Sequence, residues 1–536
     1  LPVGRALERP AHLSNRQVTV EYMKRRSFLK VASLGAASQG LTPPAGAASA
    51  PSSSGSARSR RQGSPTPVKS ILSFATEAAH APEDYDFMKA IAQFLTAENL
   101  VGNFHLTGDY ARALKRHGRL DVVEALKHHE IGFHCNHHGS RPWMAGYLEK
   151  LPWDEGLSRW LGFEAPGFAL VGELFDRRPV YYTTEFSRAP QTSVGSALMG
   201  AGTMGYLDVP TRSHSAVWYC NCLVPTVENI VALESFHGPG DREKAAKDRL
   251  DASRKKQEAS KKDVLRIFLH SYKYYAAAPY DRLTMTNEIY KNDDYYFEDY
   301  PTDALRQPPA QFKASFEMFK RSIRHHARNS EFITFSEYRD EYMPNAGVWI
   351  DLLEVDRVCR HLTSSLDAYS THSISLSPAE AFGIVVRVLR TWRETGKLPG
   401  NVFVRKLIGP HAPIPAGLAD RAVKPEALLE AVAKIDRELD LSGALPTNVN
   451  VGGAPVGPGQ LLRGLIAVYQ GIRSDERRET VALNGPNLPE IAKEAYFQTK
   501  GFTRKGLYPD DFTGANTCAL ALVQSWSWKP AVRRPA

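Results

Sequence analysis

Cysteine is scarce in this chain. Five residues in 536 are too few to form a disulfide framework. Cys220 and Cys222, two apart on an expected strand, would share one face but project side by side rather than converge on a metal. Long apolar runs are also missing. The weakly apolar stretch Val31 to Leu41 falls short of the ~20 residues a membrane-spanning helix needs. A broad surplus of positive charge is absent as well, although the net charge is +9. Residues 1–67 hold ten Lys/Arg against two Asp/Glu, so the remainder is one charge from neutral. A nucleic-acid partner therefore loses its main support.

The basic segment reads as an address. Met23 is the expected initiator, and Lys24-Arg25-Arg26-Ser27-Phe28-Leu29-Lys30 places paired arginines ahead of the weakly apolar run. Small residues then end in Ala48-Ser49-Ala50, an Ala-x-Ala cleavage pattern. This looks like a twin-arginine export signal. It implies the twin-arginine machinery as a partner, a periplasmic or secreted location and no stable membrane span. Residues 51–67, rich in Ser, Pro, Gly and Arg, read as a flexible linker.

From 68 to 343, short apolar strands alternate with amphipathic helices, the pattern of a β/α barrel. Strands are expected near 69–75, 101–106, 130–134, 180–186, 205–208, 265–270 and 331–335. Helices fit 84–98, 119–128, 193–201 and 309–326. The segment Asp241 to Asp263 has mixed charge and no apolar stripe, so it is expected as a solvated helix or insertion. Residues 344–375 connect to a smaller, mainly helical domain over 376–536. There, Gly396-Lys397-Leu398-Pro399-Gly400-Asn401-Val402-Phe403-Val404 recurs 47 residues on as Gly443-Ala444-Leu445-Pro446-Thr447-Asn448-Val449-Asn450-Val451. Each copy follows a proline and an amphipathic helix. This unit resembles the pseudomurein-binding repeat, a cell-wall-attaching module. A helical domain that only buttresses the barrel is the alternative.

The most informative stretch is His129-Glu130-Ile131-Gly132-Phe133-His134-Cys135-Asn136-His137-His138. A short strand leads into imidazoles, and His134 and His138, three residues apart, can close on one divalent metal. His105 and His129 read as packed residues. Glu77, Arg188 and His270 also stand at expected strand ends, the rim where barrels carry chemistry. The tyrosines that follow His270, from Tyr272 to Phe297, are expected either to stack on sugar rings or to pack in the core.

These segments in order, Phe74-Ala75-Thr76-Glu77, the His-x3-His loop, Arg188-Ala189-Pro190 and Leu269-His270, resemble the polysaccharide deacetylases, carbohydrate esterase family four. The resemblance covers about half the chain. It implies an irregular, seven-stranded type of β/α barrel and removal of acyl groups from a glycan. It also implies a divalent metal, zinc first among the candidates. By position, His134 and His138 become metal ligands, Arg188 the residue that orients the base, and His270 the general acid. Cys135 fills a position that Ser or Thr takes in the family. The first motif departs from the pattern: Ala75 and Thr76 stand where the family has two aspartates. Glu77 is then the candidate for the missing carboxylate, as metal ligand or base, with Asp84 and Asp86 next in line. A catalytically degenerate carbohydrate or cell-wall binding protein is the alternative function. Replacing Arg25 and Arg26 by lysine is expected to leave precursor in the cytoplasm. Processed R25K/R26K protein outside the inner membrane, seen by cell fractionation, would refute the export reading.

Overall fold

β1 (Val68–Thr76) is buried along nearly its whole length and on both faces. A strand in the middle of a covered parallel sheet has this character, since helices lie over one face and interior side chains over the other. In this computed structural model the described residues are 67–76, 82–137, 144–183, 188–205, 207–226, 230–236, 242–260, 263–274, 307–476, 478–501 and 512–535. They belong to the second of two units, Leu1–Thr66 and Pro67–Ala536. The export signal, Glu77, His138 and the aromatic run beyond Tyr274 lie outside the described residues.

The other strands of the main sheet are β2 (Asn103–Leu106), β3 (Glu130–Phe133), β4 (Tyr181–Tyr182), β5 (Thr203–Met204), β6 (Ala216–Tyr219), β7 (Cys222–Pro225), β8 (Ile230–Ala232), β9 (Val264–His270) and β10 (Ser330–Phe332). A parallel run passes through β8, β9, β1, β2, β3, β4, β5 and β7. β6 then pairs antiparallel with β7, and the strand Lys529–Pro530 antiparallel with β6. β10 lies parallel to the first residues of β1. The fold is thus mixed α/β around parallel strands. On β1, Leu72 and Phe74 join the large core under the helices, while Ile71 meets Tyr181, Leu223, Ile333 and Phe335 on the other face.

β4 and β5 are only two residues long, and β5 ends before the expected 205–208, where the described residues form no strand. Phe335 starts a helix, Phe335–Asp340, because Thr334 and Glu337 form a capping box. Cys220 and Cys222 do not share a strand. Cys220 and Asn221, with φ of 47° and 67°, form the two-residue turn between β6 and β7. Positive φ at both central positions is what this tight hairpin requires. The Asp241 to Asp263 segment is also less detached than expected. Its helix, Glu243–Ser260, buries Ala246, Leu250, Ser253 and Gln257, a stripe too narrow and polar to register as amphipathic. Gly108–Arg116, Met144–Lys150 and Trp153–Phe175 are also absent from the expected helices; the last contains Pro166 and four glycines, which mask its pattern.

The C-terminal half holds three helices built alike: Pro378–Thr395, Pro425–Ser442 and Pro458–Ser474. Each begins with proline, ends in a left-handed cap at Gly396, Gly443 or Asp475, and is followed by a short strand. The sequence shows two copies because Asp475 replaces the glycine of the third. Asp436, fully buried, accepts from Arg387 at 3.1 Å and Arg390 at 2.6 Å, which ties the first two helices together.

One buried ion pair joins this helical half to the sheet. Lys529 Nζ lies 2.8 Å from Glu380 Oε2, with both side chains 2% exposed. Burial raises the Glu380 carboxyl and lowers the Lys529 ammonium, and their mutual attraction opposes both shifts. The lysine also donates to the carbonyl oxygens of Asn345 and Ser375. Removing one partner leaves the other charge buried and alone. Lys529→Ala is therefore expected to lower unfolding stability in urea by about 3–5 kcal/mol. A loss below about 1 kcal/mol, the scale of an exposed pair, would contradict this account.

Candidate functional site

The parallel register brings one edge of the sheet together. Ala75 of β1 lies opposite His105 of β2 on one side and His270 of β9 on the other. His134 follows β3, and its amide N–H donates to the Leu106 carbonyl at 2.9 Å. Ring contacts link these elements: His134 to His105 at 5.5 Å, His105 stacked on Phe268 at 5.7 Å, and Phe268 to His270 at 4.7 Å. The two histidines singled out from sequence thus stand at the ends of one chain of four rings. His105, expected only to pack, is the ring between His134 and Phe268. His129 does pack: its ring joins the Ala92 carbonyl to the Gly102 amide, and burial lowers its pKa to about 4.

His270 is oriented by a carboxylate. Glu234, on the turn after β8, sets its oxygens 2.9 Å from His270 Nδ1, and Lys273 Nζ lies 2.7 Å from the same group. Burial acts to raise the Glu234 carboxyl, but His270 and Lys273 outweigh it and hold the group below its ordinary range. A carboxylate on Nδ1 fixes the ring's orientation and assigns proton exchange to Nε2.

The histidine loop is clamped from two sides. Thr107 caps the Gly108–Arg116 helix, whose first amides donate to the carbonyls of Cys135 and Asn136, both at 2.9 Å. Arg112 donates to Asn136 Oδ1 at 2.9 Å, and Asn136 Nδ2 donates to the Phe163 carbonyl at 2.7 Å. The Asn136 side chain fits against Gly108 and Gly167, where any Cβ would collide with it. His137 Nδ1 lies 2.9 Å from Asp109 Oδ1. Burial acts to raise Asp109, yet His137 and Arg112 together depress it well below the usual carboxylate range.

Sequence reasoning missed Glu234, Asp109 and Glu164. Glu164 lies on the Trp153–Phe175 helix, fully buried, and accepts from the Asn136 amide at 2.8 Å. Burial pushes its carboxyl up to about 8, against the Asn136 amide and the nearby His134. Its signal was a lone acid among the buried Trp160, Leu161, Gly167 and Phe168.

The remaining expected residues are placed differently. Arg188 sits 4.5 Å over the Tyr496 ring and donates to the Tyr496 carbonyl. Asp86 is an exposed partner of Arg119 at 2.7 Å. Asp84 is buried beside Ser271 and Tyr110 with its carboxyl raised by burial, and neither His134 nor His270 contributes to that shift. Tyr274 is a core residue packed on Phe87 at 4.5 Å. Among the described residues no group of three His, Cys, Asp or Glu converges as a metal site, and Glu77 and His138 fall outside that set.

The raised Glu164 carboxyl carries a pH signature. Its folded pKa of about 8 exceeds the ordinary value of 4.5, so its stabilising contribution is complete below about 4.5 and lost as pH climbs through about 8. Glu164→Gln keeps an acceptor for Asn136 and removes that loss, so its stability in urea should fall less than the parent's between pH 5 and 9. Glu164→Ala strands a buried amide and should cost about 1–3 kcal/mol at neutral pH. Parallel pH profiles for parent and Gln variant would rule out a buried, protonated Glu164.

No family model and no curated protein matches the chain. Solved structures do. The chain is similar to a CE4 family pseudoenzyme from Bacillus anthracis, at 10% identity over 51% of this chain and 66% of that one, TM-score 0.27. It is similar to a polysaccharide deacetylase from Bacillus cereus, at 10% identity over 51% and 94%, TM-score 0.26. A mutant peptidoglycan deacetylase from Bacillus subtilis shares 12% identity over 56% and 96%, TM-score 0.24.

Proposed function

We propose that this chain is an exported, metal-dependent hydrolase that removes acyl groups from a glycan at the strand-end edge of its parallel sheet. That sheet is taken as an irregular β/α barrel of the seven-stranded type, over 68–343. The helical region is taken as a cell-wall-binding element of pseudomurein-binding type, with a buttress for the sheet as the alternative. The observation that carries the reading is His270, held at Nδ1 by buried Glu234 and joined through Phe268 and His105 to His134.

His134, His138 and Glu77 would hold the metal. Imidazole and carboxylate donors suit zinc, and the clamped loop behind His134 supports a fixed ligand. A bound divalent ion supplies a water of lowered pKa and polarises the acyl carbonyl. The chain's own groups do the rest. Glu77, if not a ligand, takes the proton from the attacking water as the new carbon–oxygen bond forms. His270 Nε2 gives a proton to the leaving nitrogen or oxygen as the acyl bond breaks, and Glu234 keeps the ring in the orientation this requires. Arg188, seated over the Tyr496 ring, would orient the base.

A second reading, glycan binding without turnover, draws support from β1. Between His105 and His270 stands the methyl group of Ala75, and the Thr76 hydroxyl donates to the His105 carbonyl at 3.0 Å. Neither residue can act as base. Metal analysis with acetate release from acetylated glycans separates the two readings. The hydrolase should bind one divalent ion, and His134→Ala/His138→Ala should lose it with the fold retained. Glu77→Gln should slow release by on the order of 10² to 10⁴ fold if the carboxylate is the base. Metal stoichiometry unchanged in the double variant sinks the ligand assignment. A parent that binds glycan but releases nothing establishes the binding reading.

A further inference from the structure

The C-terminal half contains an exposed aromatic pair that the strand-end chemistry does not use. The segments Trp349–Asp351 and Asn401–Phe403 form a two-stranded antiparallel ribbon in which Trp349 lies directly opposite Phe403 and Asp351 opposite Asn401. Ile350 and Val402 are buried in the helical core beneath. The alternation of a strand then puts Trp349, Asp351, Asn401 and Phe403 on one outward face. Trp349 is 68% exposed and Phe403 43%, with ring centroids 5.4 Å apart and planes tilted by 58°. Asp351 and Asn401 are exposed beside them, and Asp351 Oδ1 also caps the next helix by accepting from the Glu354 amide at 2.8 Å.

Packing does not require these rings. Position 403 corresponds to 450 in the second copy of the repeat, and there the outward residue is Asn450, opposite an exposed Pro455. The second repeat strand, paired with a different partner, therefore carries an amide at the outward position where Phe403 carries a phenyl group. Two large aromatic side chains kept in water, where the fold accepts polar ones, mark a contact surface.

The patch is too small to hold a second copy of the chain. A stable protein interface buries about 800 Å² on each partner. An aromatic side chain offers roughly 150–250 Å², so two rings reach about half that area. The flanking groups indicate what fits instead. A pyranose with equatorial substituents presents an apolar C–H face, which stacks on an aromatic ring, and a rim of hydroxyls. A carboxylate and a side-chain amide beside the rings match that rim, since one accepts and the other both donates and accepts. Two tilted rings suit two successive sugar units that are not coplanar.

We propose that the outward face of this ribbon is a glycan-binding platform, on which Trp349 and Phe403 stack neighbouring β-linked pyranose units and Asp351 and Asn401 bind their hydroxyls. The choice of occupant rests on the reading of the chain as glycan-directed, but the platform requires no turnover.

Titration of the full chain with chitohexaose, followed by calorimetry and tryptophan fluorescence, tests the platform, with maltohexaose as the α-linked control. Trp349→Ala and Phe403→Ala should each weaken chitohexaose binding at least tenfold and leave the thermal midpoint unchanged. Phe403→Tyr should restore it. Acetate release from p-nitrophenyl acetate, a substrate with no sugar, is measured on the same samples and should not change. Equal binding in parent and ring variants, no binding by the parent, or dimerisation that both alanine variants abolish would each overturn the platform. Binding that follows the rings in a chain that releases no acetate would remove the hydrolytic reading and leave the platform standing.

Discussion

β1 is hydrogen-bonded on both flanks, and the arrangement of His105 and His270 at the strand ends depends on that pairing. Its C-terminal half is shared between β2 and β9, so Ala75 is level with His105 and His270 at once. A one-residue slip on either side would turn the affected strand's imidazole toward the helix layer. The strand holds its register because it is buried on both faces: Leu72 and Phe74 fit only under the helices, and Ile71 only in the interior. The chain of rings from His134 to His270 is therefore a consequence of core packing, achieved without direct bonds between the two histidines.

A second constraint acts on the histidine loop. Loops at strand ends are ordinarily the mobile part of an α/β fold. Here one side chain, Asn136, is engaged by Arg112 and Phe163 and fits against Gly108 and Gly167, while its own amide is held by Glu164. Such clamping orders His134 and His137 before any ligand arrives, and preorganised groups lose less freedom on binding. The arrangement places a buried acid under the loop. A carboxyl that stays protonated there avoids the larger penalty of an isolated buried charge.

Much of this was legible in the sequence, and the losses have definite causes. β1, β2, β3 and β9 were readable because each is an apolar run bounded by polar residues, and their ends carry the histidines. β4 and β5 span two residues each, too short for any periodicity to mark their limits. Glu234 was hidden because the residue it orients lies 36 positions away, across β9. Glu164 was hidden for another reason: a single acid on an apolar helix face says nothing of the loop that will approach it. Arg188 was found by its motif, but its partner, Tyr496, is 308 residues distant. Local pattern carries the strands and the motif residues. Long-range pairing carries the partners, and no window on one sequence contains both.

That last class of contact bears on how the two halves of the chain relate. Their elements meet through more than a linker. Lys529 adds its strand to the main sheet while its ammonium reaches Glu380 at the start of the first repeat helix. Tyr496 meets Arg188, and Glu149 accepts from the amides of Asn516 and Thr517 at 2.8 and 3.0 Å. His411 stacks on Trp153 at 4.7 Å. A module that only tethers a catalytic body tolerates a flexible connection, since tethering needs reach and not orientation. A buried ion pair and a cation–ring contact specify orientation instead. Tyr496, Asn516, Thr517 and Lys529 thus brace the C-terminal region against the sheet layer.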